Sequence, residues 1–127
     1  MIKNLILSFL LISSLSFALE PDKKAHSTLL GITKGNIKQY FPTITVVKLF
    51  PQIYTFTFNK LAIKKEYGTV ANLIGTLYED TAEKFIEDAK DSCLVFKYHA
   101  VSNYSVELQS FEDKLILKFT ADIICAE

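Results

Sequence analysis

The sequence predicts an α+β fold, with an antiparallel sheet and one main amphipathic helix packed on one face. Two adjoining patterns in the second half of the chain carry that prediction. From Thr76, apolar residues at Leu77, Tyr78, Ala82, Phe85, Ile86 and Ala89 recur at spacings of three and four, the period of a helix with one buried face. After Cys93 the period becomes two, and two alternating runs meet at Glu112-Asp113, as in a C-terminal β-hairpin. A third observation, the β-branched and aromatic residues between Thr43 and Phe58, supplies further strands.

The chain begins with a secretory pattern. Lys3 gives a positive start, Leu5 to Ile12 a short apolar core, and Ser16 and Ala18 the small residues of a cleavage site. Residues 1–18 are expected to be a signal peptide, and the apolar core is too short for a spanning helix. The mature protein would begin at Leu19 and work in the periplasm or outside the cell, with no membrane contact after cleavage. Residues 19–36 form a polar leader, either loose or a short edge element, and 37–127 a single domain.

Charge is nearly balanced overall, with 14 Lys against 14 acidic residues, and there is no Arg. Without Arg there is no bidentate phosphate recognition, so nucleic acid is not an expected partner. The balance is uneven along the chain. Residues 19–75 hold eight Lys and three acids, and residues 76–127 five Lys and eleven acids.

Two strands are expected at 43–49 and 54–58, joined by a turn marked by Phe50-Pro51. Lys60 to Gly75 reads as another strand, with Gly68 at a bulge and Gly75 closing the run. The helix then spans about 76–91. Its start is marked by a capping box, either Thr76 with Glu79 or Asp80 with Glu83.

The hairpin register follows from its alternation. A two-residue turn at Glu112-Asp113 pairs Phe111 with Lys114. Leu108 then faces Leu117, Val106 faces Phe119 and Tyr104 faces Ala121 on an apolar side. On the other side Glu107 faces Lys118 and Ser105 faces Thr120, so charges match as well. Leu94, Phe96, Tyr98 and Ala100 continue the parity of Tyr104.

Export makes a disulfide between Cys93 and Cys125 the first expectation. The simple register places Cys125 opposite Ala100, so the bond needs a bulge or break, with Ser102-Asn103 the place for it. The alternative is two small buried residues that never meet.

The run Ile63-Lys64-Lys65-Glu66-Tyr67-Gly68-Thr69-Val70, followed by an amphipathic helix and a hairpin, resembles the YbjQ family, labelled heavy-metal-binding, and the related fold of RcsF. The likeness covers residues 54–125. It implies a small α+β unit that assembles into rings, and it supplies no catalytic residue. The Gly-Gly-Arg loop of that family is absent here, and the helix ends in Asp91-Ser92-Cys93.

No metal-ligand spacing joins His26, His99, Cys93 and Cys125, and no metal site is expected. No cofactor is implied either. His99 reads as a partly exposed sheet residue, and Cys93 with His99 lacks a third orienting group for nucleophilic chemistry. Glu79, Glu83 and Glu87 are successive turns of one helix face. The expected function is therefore non-catalytic: a binding or sensor-like accessory domain with a protein partner or self-association. The alternative is an inhibitor or immunity protein that blocks an enzyme with a loop at Tyr40-Phe41-Pro42 or Lys48-Leu49-Phe50-Pro51. The aromatics Tyr40, Phe41, Phe50 and Tyr54 are the candidate binding surface, although an aromatic row in strands more often faces a core.

Overall fold

The computed structural model describes residues 27–127. The expected signal peptide, 1–18, and residues 19–26 of the expected leader lie outside the described residues. The elements run β1 (Thr28–Ile32), a single 3-10 turn (Ile37–Gln39), β2 (Val46–Asn59), α1 (Lys60–Glu66), α2 (Val70–Ser92), β3 (Tyr98–Ser110) and β4 (Lys114–Ala126). The four strands form one sheet in the order β1-β3-β4-β2. The fold is α+β with a C-terminal strand pair, as expected, but the sheet is mixed. β1 runs parallel to β3, and the other pairings are antiparallel.

The β3–β4 hairpin has the register read from its alternation. Val106 faces Phe119, Glu107 faces Lys118, Leu108 faces Leu117, and Phe111 N–H donates to the Lys114 carbonyl across Glu112-Asp113. The register then shifts by one residue between Ser102 and Ser105. The extra residue sits at a β-bulge where Asn103 has φ 57°, a left-handed conformation that Asn tolerates better than most side chains. Its Nδ2 donates to Asp122 at 3.0 Å.

That bulge corrects the parity of the strand before it. Val101 and His99 face Ile123 and Cys125 and so share the α2 side with Tyr104. Tyr98 and Ala100 point to the opposite side, where they join Ile124 and Ala126. His99 is accordingly buried, not a partly exposed sheet residue.

The core on the α2 side joins Leu73, Phe85 and Ala89 of the helix to Val101, Tyr104, Leu117, Phe119 and Ile123. The Tyr104 ring lies 5.5 Å from Phe85 and 6.3 Å from Phe119. A smaller core on the other side seats the segment after β1. Ile37 and Ile44 pack there on Ala100 and Ile124. Ser102 Oγ, buried at the bulge, accepts from Ile37 N–H at 2.8 Å and fixes that segment.

Four expected features take a different form. The pair of strands at 43–49 and 54–58 is one strand, β2, and Pro51 lies inside it with no register shift at that point. An edge strand tolerates this because half of its N–H groups serve no ladder. The stretch from Lys60 to Gly75 is helical. Asn59 Oδ1 accepts from the N–H groups of Leu61 and Ala62 and starts α1. Gly68, at φ 83°, ends it, with its N–H bonded to the Ile63 carbonyl.

Helix α2 is the third correction. Its N-cap is Thr69, whose Oγ1 accepts from Asn72 N–H at 3.1 Å, and so the helix begins a turn and a half before Thr76 and contains Gly75. Neither capping box is its start. Fourth, Cys93 closes the helix instead of opening a strand. Its N–H returns to the Ala89 carbonyl, and Leu94 to Lys97 form a turn before β3.

Candidate functional site

The disulfide joins Cys93 to Cys125, with Cα atoms 5.3 Å apart and both residues fully buried. Cys125 faces α2 because it shares parity with Leu117, Phe119 and Ile123 on β4. Cys93 meets it from above, at the end of the helix. The bond therefore ties α2 to the sheet and does not link two strands. Beside it, His99 pairs with Cys125 across the ladder, and its Nδ1 lies 2.6 Å from Ser27 Oγ at the start of β1. Burial lowers the His99 pKa, and the nearby Lys90 ammonium lowers it further.

The four aromatics of the candidate binding surface do not form one surface. Tyr40 is exposed beyond the 3-10 turn, while Phe41 packs into the small core on the side away from α2. Phe50 and Tyr54 lie on the α2 side of β2, half-buried. Lys48-Leu49-Phe50-Pro51 is strand, not a projecting loop.

Strand β2 is an edge of the sheet. Helix α2 packs mainly on β3 and β4, and among the described residues no strand lies outside β2. Phe50, Gln52, Tyr54, Phe56 and Phe58 therefore line the α2 side of an edge strand, each half-buried. On the opposite side Val47, Leu49 and Ile53 are 53, 53 and 55% exposed. Lys48 and Pro51 interrupt the first half of this edge, as charged residues and proline do where pairing is to be avoided. From Ile53 to Asn59 there is no charge, proline or glycine.

Between α2 and β2 lies a cavity of about 330 Å³. Phe56 and Leu77 give it apolar walls, and Asp80, Glu83, Lys84 and Glu87 line it from the helix. Lys84 Nζ stands 5.4 Å from the Phe56 ring centroid and 5.6 Å from that of Tyr54. Thr81 also lines the cavity. It is fully buried, and its hydroxyl has no hydrogen-bond partner among the described residues. The acids Glu79, Glu83 and Glu87 are exposed, as a solvated helix face requires, and the apolar walls beneath them could not be read before the strand beneath was known. A second trough, of about 270 Å³, lies on the far side of the sheet among Thr55, Glu107, Gln109, Ile116 and Lys118.

Among the described residues no three His, Cys, Asp or Glu side chains converge as metal ligands. No helix among them is long and apolar enough to cross a membrane. No family model matches the sequence, and no curated protein matches it. Among solved structures the chain is similar to a protein of unknown function of the DUF74 family from Pediococcus pentosaceus ATCC 25745. That likeness has a TM-score of 0.44 and 14% identity, and covers 78% of this chain and 98% of the other.

Proposed function

We propose that the protein is an exported, non-catalytic binding domain that works as an assembly of copies joined at the free edge of β2. The observation that carries this reading is the run Ile53–Asn59 on an edge strand with no neighbouring strand on its outer side among the described residues. It is uncharged and rich in β-branched and aromatic residues, the composition that favours strand addition.

A two-fold antiparallel pairing centred on Phe56 would match Thr55 with Thr57 and Tyr54 with Phe58. Each is a favourable cross-strand pair. The resemblance to a ring-forming family favours self-association in general, while a two-fold pairing at β2 alone would close as a dimer. Export rests on the secretory pattern of residues 1–18 and agrees with the disulfide. N-terminal sequencing of the exported protein should begin at Leu19.

Sedimentation velocity tests the assembly. The oxidised protein should associate with rising concentration. Thr55→Lys with Thr57→Lys, two exposed positions on that edge, should leave a folded monomer. A wild-type protein that stays monomeric throughout would refute the reading. One observation favours a second reading, an inhibitor: Tyr40, 57% exposed just before Phe41-Pro42, is placed to serve as an anchor in a partner's cleft.

A further inference from the structure

We propose that the N-terminal tip of β1 is an acid-released strap: protonation of His99 detaches Ser27, Thr28 and Leu29 from β3 and opens the imidazole to water, while the chain from Ile32 onward stays pinned. The strap lies at the opposite edge of the sheet from β2, and so it does not depend on assembly there.

Three observations carry it. The first is that the two ends of β1 are held unequally. Just beyond the strand, Tyr104 N–H donates to the Thr33 carbonyl at 2.9 Å and Asn103 N–H to the Gly35 carbonyl at 3.0 Å. Ile37 N–H donates to the buried Ser102 Oγ. Ile32 packs against the core on the α2 side, and Leu30 against the smaller core. At the tip, by contrast, Thr28 and Leu29 are exposed. There Thr28 N–H donates to the Lys97 carbonyl at 2.9 Å, and Ser27 Oγ meets His99 Nδ1.

The second is a hinge between the two ends. The pairing of β1 with β3 shifts by one residue between Leu29 and Gly31. Gly31 has φ 148°, a conformation that glycine adopts readily and other residues rarely do. Rotation at this point lifts the tip without moving Ile32.

The third is what lies under the tip. His99 is 4% exposed. Its ladder neighbour on β4 is Cys125, which is bonded to Cys93 and carries no charge. On β1 it faces Leu29 and Ser27, both uncharged. Helix α2 brings Lys90, whose ammonium repels an imidazolium. No carboxylate among the described residues lies at salt-bridge distance from the ring. The bond to Ser27 can form in either protonation state, with Nδ1 as acceptor or as donor. What protonation adds is a buried charge without a counter-ion. Strand β4 is interior and the end of α2 is fastened by the disulfide, so the tip of β1 is the cover that yields at least cost.

The test is amide hydrogen exchange of the oxidised protein between about pH 7.5 and pH 5, read residue by residue as protection relative to an unstructured chain. Below the ordinary histidine value of about 6.5, the opened form binds a proton that the closed form refuses. Protection of Thr28 should therefore fall by up to about tenfold per pH unit until the lower folded value is reached. Thr33 and Tyr104 should keep theirs. His99→Gln should make Thr28 indifferent to pH, and Lys90→Gln should shrink the response by removing the repulsion. Equal losses at Thr28 and Thr33 would mean that β1 opens as a whole, without the hinge, and overturn the proposal. So would protection at Thr28 that does not change with pH, or a response that persists in His99→Gln.

Discussion

The hydroxyl of Tyr54 donates a hydrogen bond to the carboxylate of Asp88 and so ties edge strand β2 to helix α2. Gln52 Nε2 reaches the same carboxylate at 3.2 Å. Below the tie, Tyr54 packs edge-on against Phe85, with ring centroids 5.1 Å apart. An edge strand that the helix covers only in part is held at one polar point as well as by its aromatic row.

Removing that tie should loosen the edge without unfolding the sheet. Tyr54→Phe keeps the ring on Phe85 and loses a bond to a charged acceptor at a half-buried site. The expected cost is about 1–2 kcal/mol in urea titration, with hydrogen exchange increased in β2 more than in β3. A loss spread evenly over all four strands would count against a local role.

Alkaline pH should act through the same residue. The bond to Asp88 raises the Tyr54 pKa above 10.0, with burial adding to it, and burial raises that of Tyr104 with help from Tyr78. A raised folded-state value means that the native protein holds the proton more tightly than the unfolded chain. The stability these groups give is full below about pH 10 and falls as pH rises through the folded values. Melting temperature should decline above that pH, and less steeply in Tyr54→Phe. Identical slopes in the two proteins would show that Tyr54 carries none of the effect.

Acid should act at the other edge. His99 is depressed below 6.5 by burial and by Lys90, and so its neutral form is the one that fits beside Ser27. Its contribution is full above about pH 6.5 and is lost as pH falls through the lower folded value. Below that pH, amides of β1 should exchange faster, since His99 contacts the start of that strand. His99→Gln should flatten this response. A β1 that stays protected to the same degree at pH 5 in the native protein would refute it.

The hairpin supplies the sharpest contrast between neighbours. Phe119 is fully buried against Phe56 and Tyr104, while Lys118 is 48% exposed, with Nζ 3.8 Å from Glu107. Phe119→Ala should cost about 3–5 kcal/mol through lost burial and a cavity. Lys118→Ala should cost about 0–1 kcal/mol, since an exposed pair is screened by water and salt. Chemical denaturation of the two variants compares them, and equal losses would mean that the alternation is not the core pattern.

This hairpin was legible because each of its residues has one partner and one face, so a single register sorts charge and apolarity together. A bulge does lie at Ser102-Asn103, but not for the reason that suggested it: Cys93 reaches Cys125 from the end of α2, and the bulge pairs Cys125 with His99. What could not be read was its consequence for parity. An inserted residue at Asn103 turns His99 to the α2 side and Ala100 into the smaller core on the other side, which alternation alone places the other way.

The helices around Gly68 were hidden for a related reason. Leu61, Ile63 and Tyr67 fit a strand and a short helix equally, and the deciding signal was Asn59, a capping residue at the end of an aromatic strand. Pro51 misled because a proline inside a strand is read as a break unless the strand is known to lie at an edge. The cavity was not legible at all. It exists because α2 sits over β3 and β4 and not over β2, a matter of packing position that no local pattern encodes.

Reduction of Cys93–Cys125 should destabilise the fold by about 2–4 kcal/mol, the range for a loop of this size, whose ends are 32 residues apart. Because the bond pins the end of α2 to β4, its loss should appear first as faster exchange in the last turns of the helix. Slow reduction under native conditions is expected, since both residues are buried. Two free thiols in the native oxidised protein would remove the bond from the account.

The reading of β2 as the joining edge is tested most directly by hydrogen–deuterium exchange measured at low and high protein concentration. Amides between Ile53 and Asn59 that face away from β4 should exchange fast when dilute and become protected when concentrated, with β1 unchanged. Exchange in that segment that does not depend on concentration, or protection that grows in β1 instead, would contradict it.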